Sequence, residues 1–125
     1  MTNFFLNKRI LITGGSGFIG SALIRRLSKE SKLRIFNFDK KSDSSEIFNF
    51  QNKTTCENLC FNLTNRDEVN KAIQISEPEI IIHLAAESHV DRSIDDPQNF
   101  IESNIVGTFN LLQSSTNFWR NLSIK

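Results

Sequence analysis

The amino-acid sequence predicts an α/β fold: the N-terminal half of a doubly wound parallel sheet, with strand order 3-2-1-4 and helices on both faces. Three observations carry this. A glycine-rich turn, Gly14-Gly-Ser-Gly17, separates a short apolar run from a helical pattern. Apolar runs of strand length then alternate with helical patterns four times along the chain. The run Glu79-Ile-Ile-Ile-His-Leu-Ala85 is continuously apolar through its centre, as strands buried on both faces of a parallel sheet are.

Lys8–Thr13 reads as the first strand and Phe18–Lys29 as the first helix, with Ile19, Leu23 and Leu27 forming a face packed on the sheet. Between them, Gly14, Gly17 and Gly20 satisfy G-x-x-G-x-x-G, and Gly15, Gly17 and Gly20 satisfy G-x-G-x-x-G. Such glycines serve a tight turn, close approach of backbone to a pyrophosphate, and close helix–strand packing. The helix start adds N–H groups and the positive end of a dipole. The site is therefore expected to hold a dinucleotide; the alternative is a glycine-rich turn that binds nothing. Leu33–Phe38 is the second strand, and it ends at Asp39. A Rossmann unit places its ribose-reading carboxylate there, about 20 residues beyond the last glycine. A carboxylate repels a 2′-phosphate, which favours NAD over NADP. The alternatives are a capped strand end, or a phosphate met by Lys40 and Lys41.

Lys41–Lys53 is polar and reads as a loop, with a short helical turn over Glu46–Phe50. Cys56–Leu63 is the third strand, followed by a helix over Arg66–Ile75 that Thr64 or Asn65 caps and Pro78 stops. Val69, Ala72 and Ile73 are its apolar face. The fourth strand is Glu79–Ala85. Ala86–Ser93 forms a polar connection at its carboxyl end, across a crevice from Gly14–Gly17. Asp96-Pro97 starts a long helix to about Asn117, with Ile101, Ile105, Phe109 and Leu112 on one packed face. Gly107 sits inside that helix, a cost unless close packing requires it.

Bulk properties narrow the class. With 125 residues the chain is expected to make one domain, and 15 basic against 14 acidic side chains leave no footprint for nucleic acid. No apolar stretch has the length of a membrane span, and no secretory signal pattern appears. Cys56 and Cys60 lack metal-ligand spacing and read as reduced thiols of a cytoplasmic protein. His83, at a strand end, reads as a packed, hydrogen-bonded ring; no metal site is expected.

The stretch His83-Leu-Ala-Ala-Glu-Ser-His-Val-Asp-Arg-Ser-Ile94, with Thr13-Gly-Gly-Ser-Gly-Phe-Ile-Gly20 and Asn104-Ile-Val-Gly-Thr108, resembles the dTDP-glucose 4,6-dehydratase family. That family belongs to the extended short-chain dehydrogenase/reductases, and the likeness runs from Arg9 to about Trp119. It implies that Gly14, Gly17, Phe18, Ile19 and Gly20 lie along the cofactor pyrophosphate, with Asp39, Lys40 and Ser42 around the adenosine ribose. Asn62 and Leu63 would meet the adenine; the family has Asp at the first of these positions. Leu84, Ala85, Ala86, Glu87 and Ser88 would line the nicotinamide side, with Ser103 keeping the hydroxyl of a family Thr. Ser88 and His89 would touch the nucleotide sugar, with Asp91 and Arg92 nearby; for Arg92 a loop-stapling role is the stronger reading.

The resemblance implies an NAD-dependent lyase that oxidises the glucose C4, eliminates water across C5 and C6, and reduces C6. The family performs this with a Tyr-x-x-x-Lys pair and an Asp–Glu pair, all from later elements, and this chain has no Tyr. The expectation is a cofactor half without its chemical half, from a truncated gene product or a split enzyme, inactive by itself and marginally stable or self-associating alone. The partners expected are dTDP-glucose in the complete enzyme and a complementing C-terminal chain or a homodimer. The alternatives are an inactive dinucleotide-binding module, or a related epimerase or decarboxylase.

Overall fold

Arg9–Thr13 (β1), Arg34–Phe38 (β2), Ile47–Asn49 (β3), Thr55–Leu59 (β4) and Ile80–His83 (β5) form one sheet, ordered β3-β4-β2-β1-β5. The computed structural model describes residues 4–40, 47–50, 52–86 and 94–123. β1 pairs in parallel with β2 and with β5, and β2 pairs in parallel with β4. The four parallel strands thus take the predicted 3-2-1-4 order.

β3 corrects the sequence reading. Residues expected to make a helical turn instead run antiparallel to β4, pairing Ile47 with Glu57 and Asn49 with Thr55. The turn explains the choice. Phe50 N–H donates to Thr54 O at 2.8 Å, Lys53 N–H to Phe50 O at 3.0 Å, and Lys53 takes a φ of 69°. A segment too short to close helical hydrogen bonds satisfies its backbone on the strand beside it.

The chain divides into two compact units, the first drawn from Met1–Cys60 and Ser76–Leu84, the second from Phe61–Ile75 and Ala85–Lys125. In the first, strand alternation puts Ile10, Ile12, Ile35 and Cys56 into one core with Leu27 and Leu33; Leu23, Ile24, Ile80, Ile82 and Leu84 pack against it. Leu11, Phe36, Phe38 and Leu59 are buried as well. Helix α1 (Phe18–Leu27) joins the core through Leu23, Ile24 and Leu27, while Ile19, expected on that face, is 67% exposed. Gly20 is the buried residue of the first turn instead, because the backbones approach too closely there for a side chain. β5 also departs from expectation. Ile80–Ile82 are half-buried rather than enclosed, since among the described residues β5 has a strand on one side only.

The second unit contains most of α2 (Arg66–Ser76), whose start is capped where Asn65 Oδ1 accepts the Glu68 N–H at 3.2 Å. Val69, Ala72 and Ile73 are buried, as read from their spacing. Pro97–Ile101 (α3) starts as predicted, with Asp96 Oδ1 accepting the Asn99 N–H at 3.2 Å and Pro97 in the first turn. It passes through a π-helical segment, Glu102–Val106, into α4 (Gly107–Ser123), beyond the predicted end.

The expected packed face of this long helix is the exposed one: Ile101, Ile105, Phe109 and Leu112 are each more than half exposed. The buried positions are Gly107, Asn110, Leu111, Ser114 and Ser115. Polar groups decide the orientation. Asn110 Nδ2 donates to Leu63 O at 2.9 Å and Ser114 Oγ to Asn70 Oδ1 at 2.5 Å. Gly107 has its packing reason, because a Cβ there would come within 3.0 Å of Leu63 Cβ.

Candidate functional site

The candidate site grows from the carboxyl end of β1. Gly14 takes a φ of 76°, a turn that residues with a side chain rarely adopt, and its N–H continues the ladder to Phe38 O at 2.9 Å. The next amides are held by one side chain of β2 and one from the residue just past it. Gly15 N–H donates to Asn37 Oδ1 at 2.9 Å and Ser16 N–H to Asp39 Oδ2 at 3.0 Å. Asn37 and Asp39 are two apart on an extended strand and so point to one side of it. Gly17 N–H then closes the turn on Gly14 O at 3.1 Å. A Cβ on Gly20 would run into Gly14 O, so this glycine lets α1 start directly against the turn.

That helix start differs from the other two. Asn65 and Asp96 cap α2 and α3 with side-chain oxygens, whereas Gly17 at the cap of α1 offers none. The first amides of a helix lack acceptors within it and carry the positive end of its dipole. Phe18, 93% exposed, and Ile19 flank them. Loop, open helix start and strand-end carboxylate therefore lie together, a set suited to a phosphate and an adjoining ribose.

Beneath the loop, Thr13 is fully buried and its Oγ1 lies 2.6 Å from His83 Nδ1. Burial lowers the pKa of the ring below its ordinary 6.5, which favours the neutral form. Leu84 N–H donates to Thr13 O at 3.1 Å and Oγ1 at 3.0 Å, while the Leu84 side chain enters the core. Lys40 is exposed beside Asp39, its carbonyl 3.5 Å from Cys60 Sγ. Among the described residues no group of three His, Cys, Asp or Glu could hold a metal ion, and no helix is long and apolar enough to cross a membrane.

In the second unit, Asn62 is exposed and its Oδ1 accepts from Thr64 N–H and Oγ1, at 3.0 and 2.9 Å, which shapes the turn before α2. Leu63 is buried against Gly107. Ala85 is half-buried and Ala86 exposed, and Ser103 is half-buried on the π-helical segment. Ser42, Glu87, Ser88 and His89 lie outside the described residues.

Sequence reasoning missed Asn37. It is buried, and its Nδ2 donates to Asn58 Oδ1 at 3.2 Å and Ser16 Oγ at 3.4 Å. The signal was an amide within the otherwise apolar run Ile35-Phe-Asn-Phe38, two residues before Asp39.

Comparison with known proteins adds an independent line. The family model described as GDP-mannose 4,6 dehydratase matches residues 11–125. The probable dTDP-glucose 4,6-dehydratase of Sinorhizobium fredii is 40% identical over 118 residues, covering 92% of this chain and 33% of that protein. The dTDP-glucose 4,6-dehydratase of Salmonella typhimurium is 41% identical over 122 residues, covering 89% and 32%. The chain thus spans about a third of the length of the curated relatives it matches. Among solved structures, Thermus thermophilus UDP-glucose 4-epimerase in complex with NAD superposes with a TM-score of 0.74 at 27% identity, over 88% of this chain and 34% of that one. DesIV, the dTDP-glucose 4,6-dehydratase of Streptomyces venezuelae with NAD and TYD bound, gives 0.69 at 26% identity, over 88% and 36%. A match that begins inside β1 and runs on through the long helix settles the relationship: this chain belongs to the GDP-mannose 4,6 dehydratase family.

Proposed function

We propose that this chain is the NAD-binding portion of a dTDP-glucose 4,6-dehydratase, a lyase that converts dTDP-glucose to dTDP-4-keto-6-deoxyglucose in nucleotide-sugar biosynthesis. The observation that carries the reading is Asp39, whose carboxylate closes β2 and reaches the Ser16 amide of the glycine turn at 3.0 Å. Phosphate loop and ribose-reading acid are thereby adjoined within one unit. The fold superposes on an epimerase with a TM-score of 0.74 and on a dehydratase with 0.69, and it is the relatives at 40% and 41% identity that favour the dehydratase.

In this reading Gly14, Gly17 and Gly20 admit the pyrophosphate to the start of α1, with Phe18 and Ile19 alongside. Asp39 accepts the ribose hydroxyls, with Lys40 and Ser42 next to it. Asn62 and Leu63 are assigned to the adenine; Leu84, Ala85, Ala86, Glu87, Ser88 and Ser103 to the nicotinamide side; Ser88 and His89 to the sugar nucleotide. NAD, when bound, supplies the hydride acceptor and donor of the reaction. This chain's residues bind and orient it, and by themselves they leave the dehydration uncatalysed. The partner this reading gives the chain is the nucleotide sugar dTDP-glucose, the substrate named by its relatives, and a complementing C-terminal chain or a homodimer is proposed with it. Two free thiols, Cys56 and Cys60, suit a reducing cytoplasm.

Calorimetric titration of the chain with NAD, with NADP as control, tests the reading. NAD binds in preference to NADP, and Asp39→Ala abolishes that preference. A folded chain that binds neither overturns the proposal.

A further inference from the structure

We propose that Asn37 is a positioning residue for the dinucleotide, a buried amide that sets the Gly15–Ser16 turn before any phosphate arrives. The inference rests on the dinucleotide reading above and adds to it a residue that touches no ligand. Asn37 is 4% exposed in a strand whose other inner residues, Ile35, Phe36 and Phe38, are apolar. Burying an amide is costly unless its groups are paired. Those of Asn37 are paired, Oδ1 with the Gly15 N–H, Nδ2 with Asn58 Oδ1 and Ser16 Oγ.

The sheet does not need that amide. β2 is held to β1 and β4 by its backbone, with Asn37 in register with Ile12 and Asn58, and a Val would serve the strand as well. What the amide determines is the loop. Gly14 is the only glycine with positive φ among the described residues, so conformation does not demand a glycine at position 15. Space does: a Cβ on Gly15 would collide with the Asn37 amide and with Ile24 Cδ1. Gly15 and Asn37 are therefore a matched pair. With Asp39 on Ser16, consecutive amides of the turn are fixed by side chains two residues apart, one in β2 and one just past its end. A loop held in this way loses less freedom when a phosphate binds, which strengthens binding without a new contact.

The test measures dissociation constants of the whole chain for NAD, ADP and adenosine, by calorimetry or NMR titration, with folding checked by circular dichroism. Two variants are compared. Asn37→Val removes the amide; Asn37→Val with Asn58→Val also removes the side-chain amide that would be left facing it, so that within the sheet no polar side chain meets the new valine, which favours a folded chain. Affinity for NAD and ADP, which lay phosphates on the loop, is expected to fall roughly tenfold, and affinity for adenosine to stay within about twofold. A purely structural role would weaken all three ligands equally. That outcome, unchanged affinities, or two unfolded variants overturns the role of Asn37 while leaving the dinucleotide reading intact. Failure of the unsubstituted chain to bind NAD overturns the reading and this inference together.

Discussion

The turn at the end of β1 and the long helix over 97–123 both carry a repeating pattern in the sequence, and the structure treats them in opposite ways. At the turn, Gly14, Gly15 and Gly20 sit where backbone geometry or a neighbouring atom requires a glycine, and each loop amide from Gly14 to Gly17 has an acceptor. Along the helix, Ile101, Ile105, Phe109 and Leu112 recur on one face, yet that face is exposed while Asn110, Ser114 and Ser115 are buried. A glycine pattern is a statement about excluded volume, which has few solutions. An apolar stripe identifies a face and leaves its covering partner open.

The sharpest way to break this comparison is to truncate neighbouring leucines of α4. Leu111 is 3% exposed and Leu112 is 63% exposed. Leu111→Ala is expected to cost about 2–5 kcal/mol in urea unfolding. Leu112→Ala is expected to stay within about 0.5 kcal/mol. The reverse result would mean that the spacing read from sequence had chosen the buried face after all. Gly20→Ala tests the turn in the same terms. Its Cβ would meet Gly14 O, a backbone atom that cannot swing aside, so a loss of about 1–3 kcal/mol is expected together with loss of NAD binding.

Much of the fold was legible because the parallel strands are short, apolar and bounded by strong punctuation. Gly14, Asp39, Asn65 and Asp96-Pro97 each stand at an element end in the structure. The candidate site was legible to the same degree at Gly14, Gly17, Gly20 and Asp39. Three things escaped, each because it depends on contacts between distant residues. β3 forms through pairing with β4, the burial of α4 follows from hydrogen bonds to Leu63 and Asn70, and Asn37 gains its role only once Gly15 lies over it.

Two titrations sharpen the picture of the sheet under the loop. Burial lowers the His83 pKa below 6.5, so the unfolded chain binds that proton more readily than the folded one. The stability His83 contributes is present above pH 6.5 and is lost as pH falls through its folded value. Replacing His83 with Gln should flatten that limb of a pH–stability curve. At the other end, burial pushes the Cys56 thiol from 9.0 up to about 11. Stability is full below pH 9.0 and falls as pH rises toward about 11, and Cys56→Ala removes the decline. A thiol reagent at neutral pH should label exposed Cys60 and spare Cys56 until the chain unfolds.

The smallest effect is expected where β5 begins beside the start of β1. Glu79 lies 3.3 Å from both Lys8 Nζ and Arg9 Nη1, and Oε1 also accepts the Arg9 N–H at 3.2 Å. Burial raises the Glu79 pKa, but the Arg9 amide, the Lys8 hydrogen bond and the two positive charges outweigh it and lower it overall. Its stabilisation is therefore present above pH 4.5 and lost as pH falls through the folded value. All three side chains are about a third exposed, so solvent screens the pairs. Glu79→Gln keeps an acceptor for the Arg9 amide and should cost less than about 1 kcal/mol in urea unfolding at neutral pH. Because Glu79 N–H still donates to Arg9 O at 2.9 Å, the backbone ladder survives the change. A loss well above that bound would show that charge, rather than the ladder, sets the register of β5 against β1.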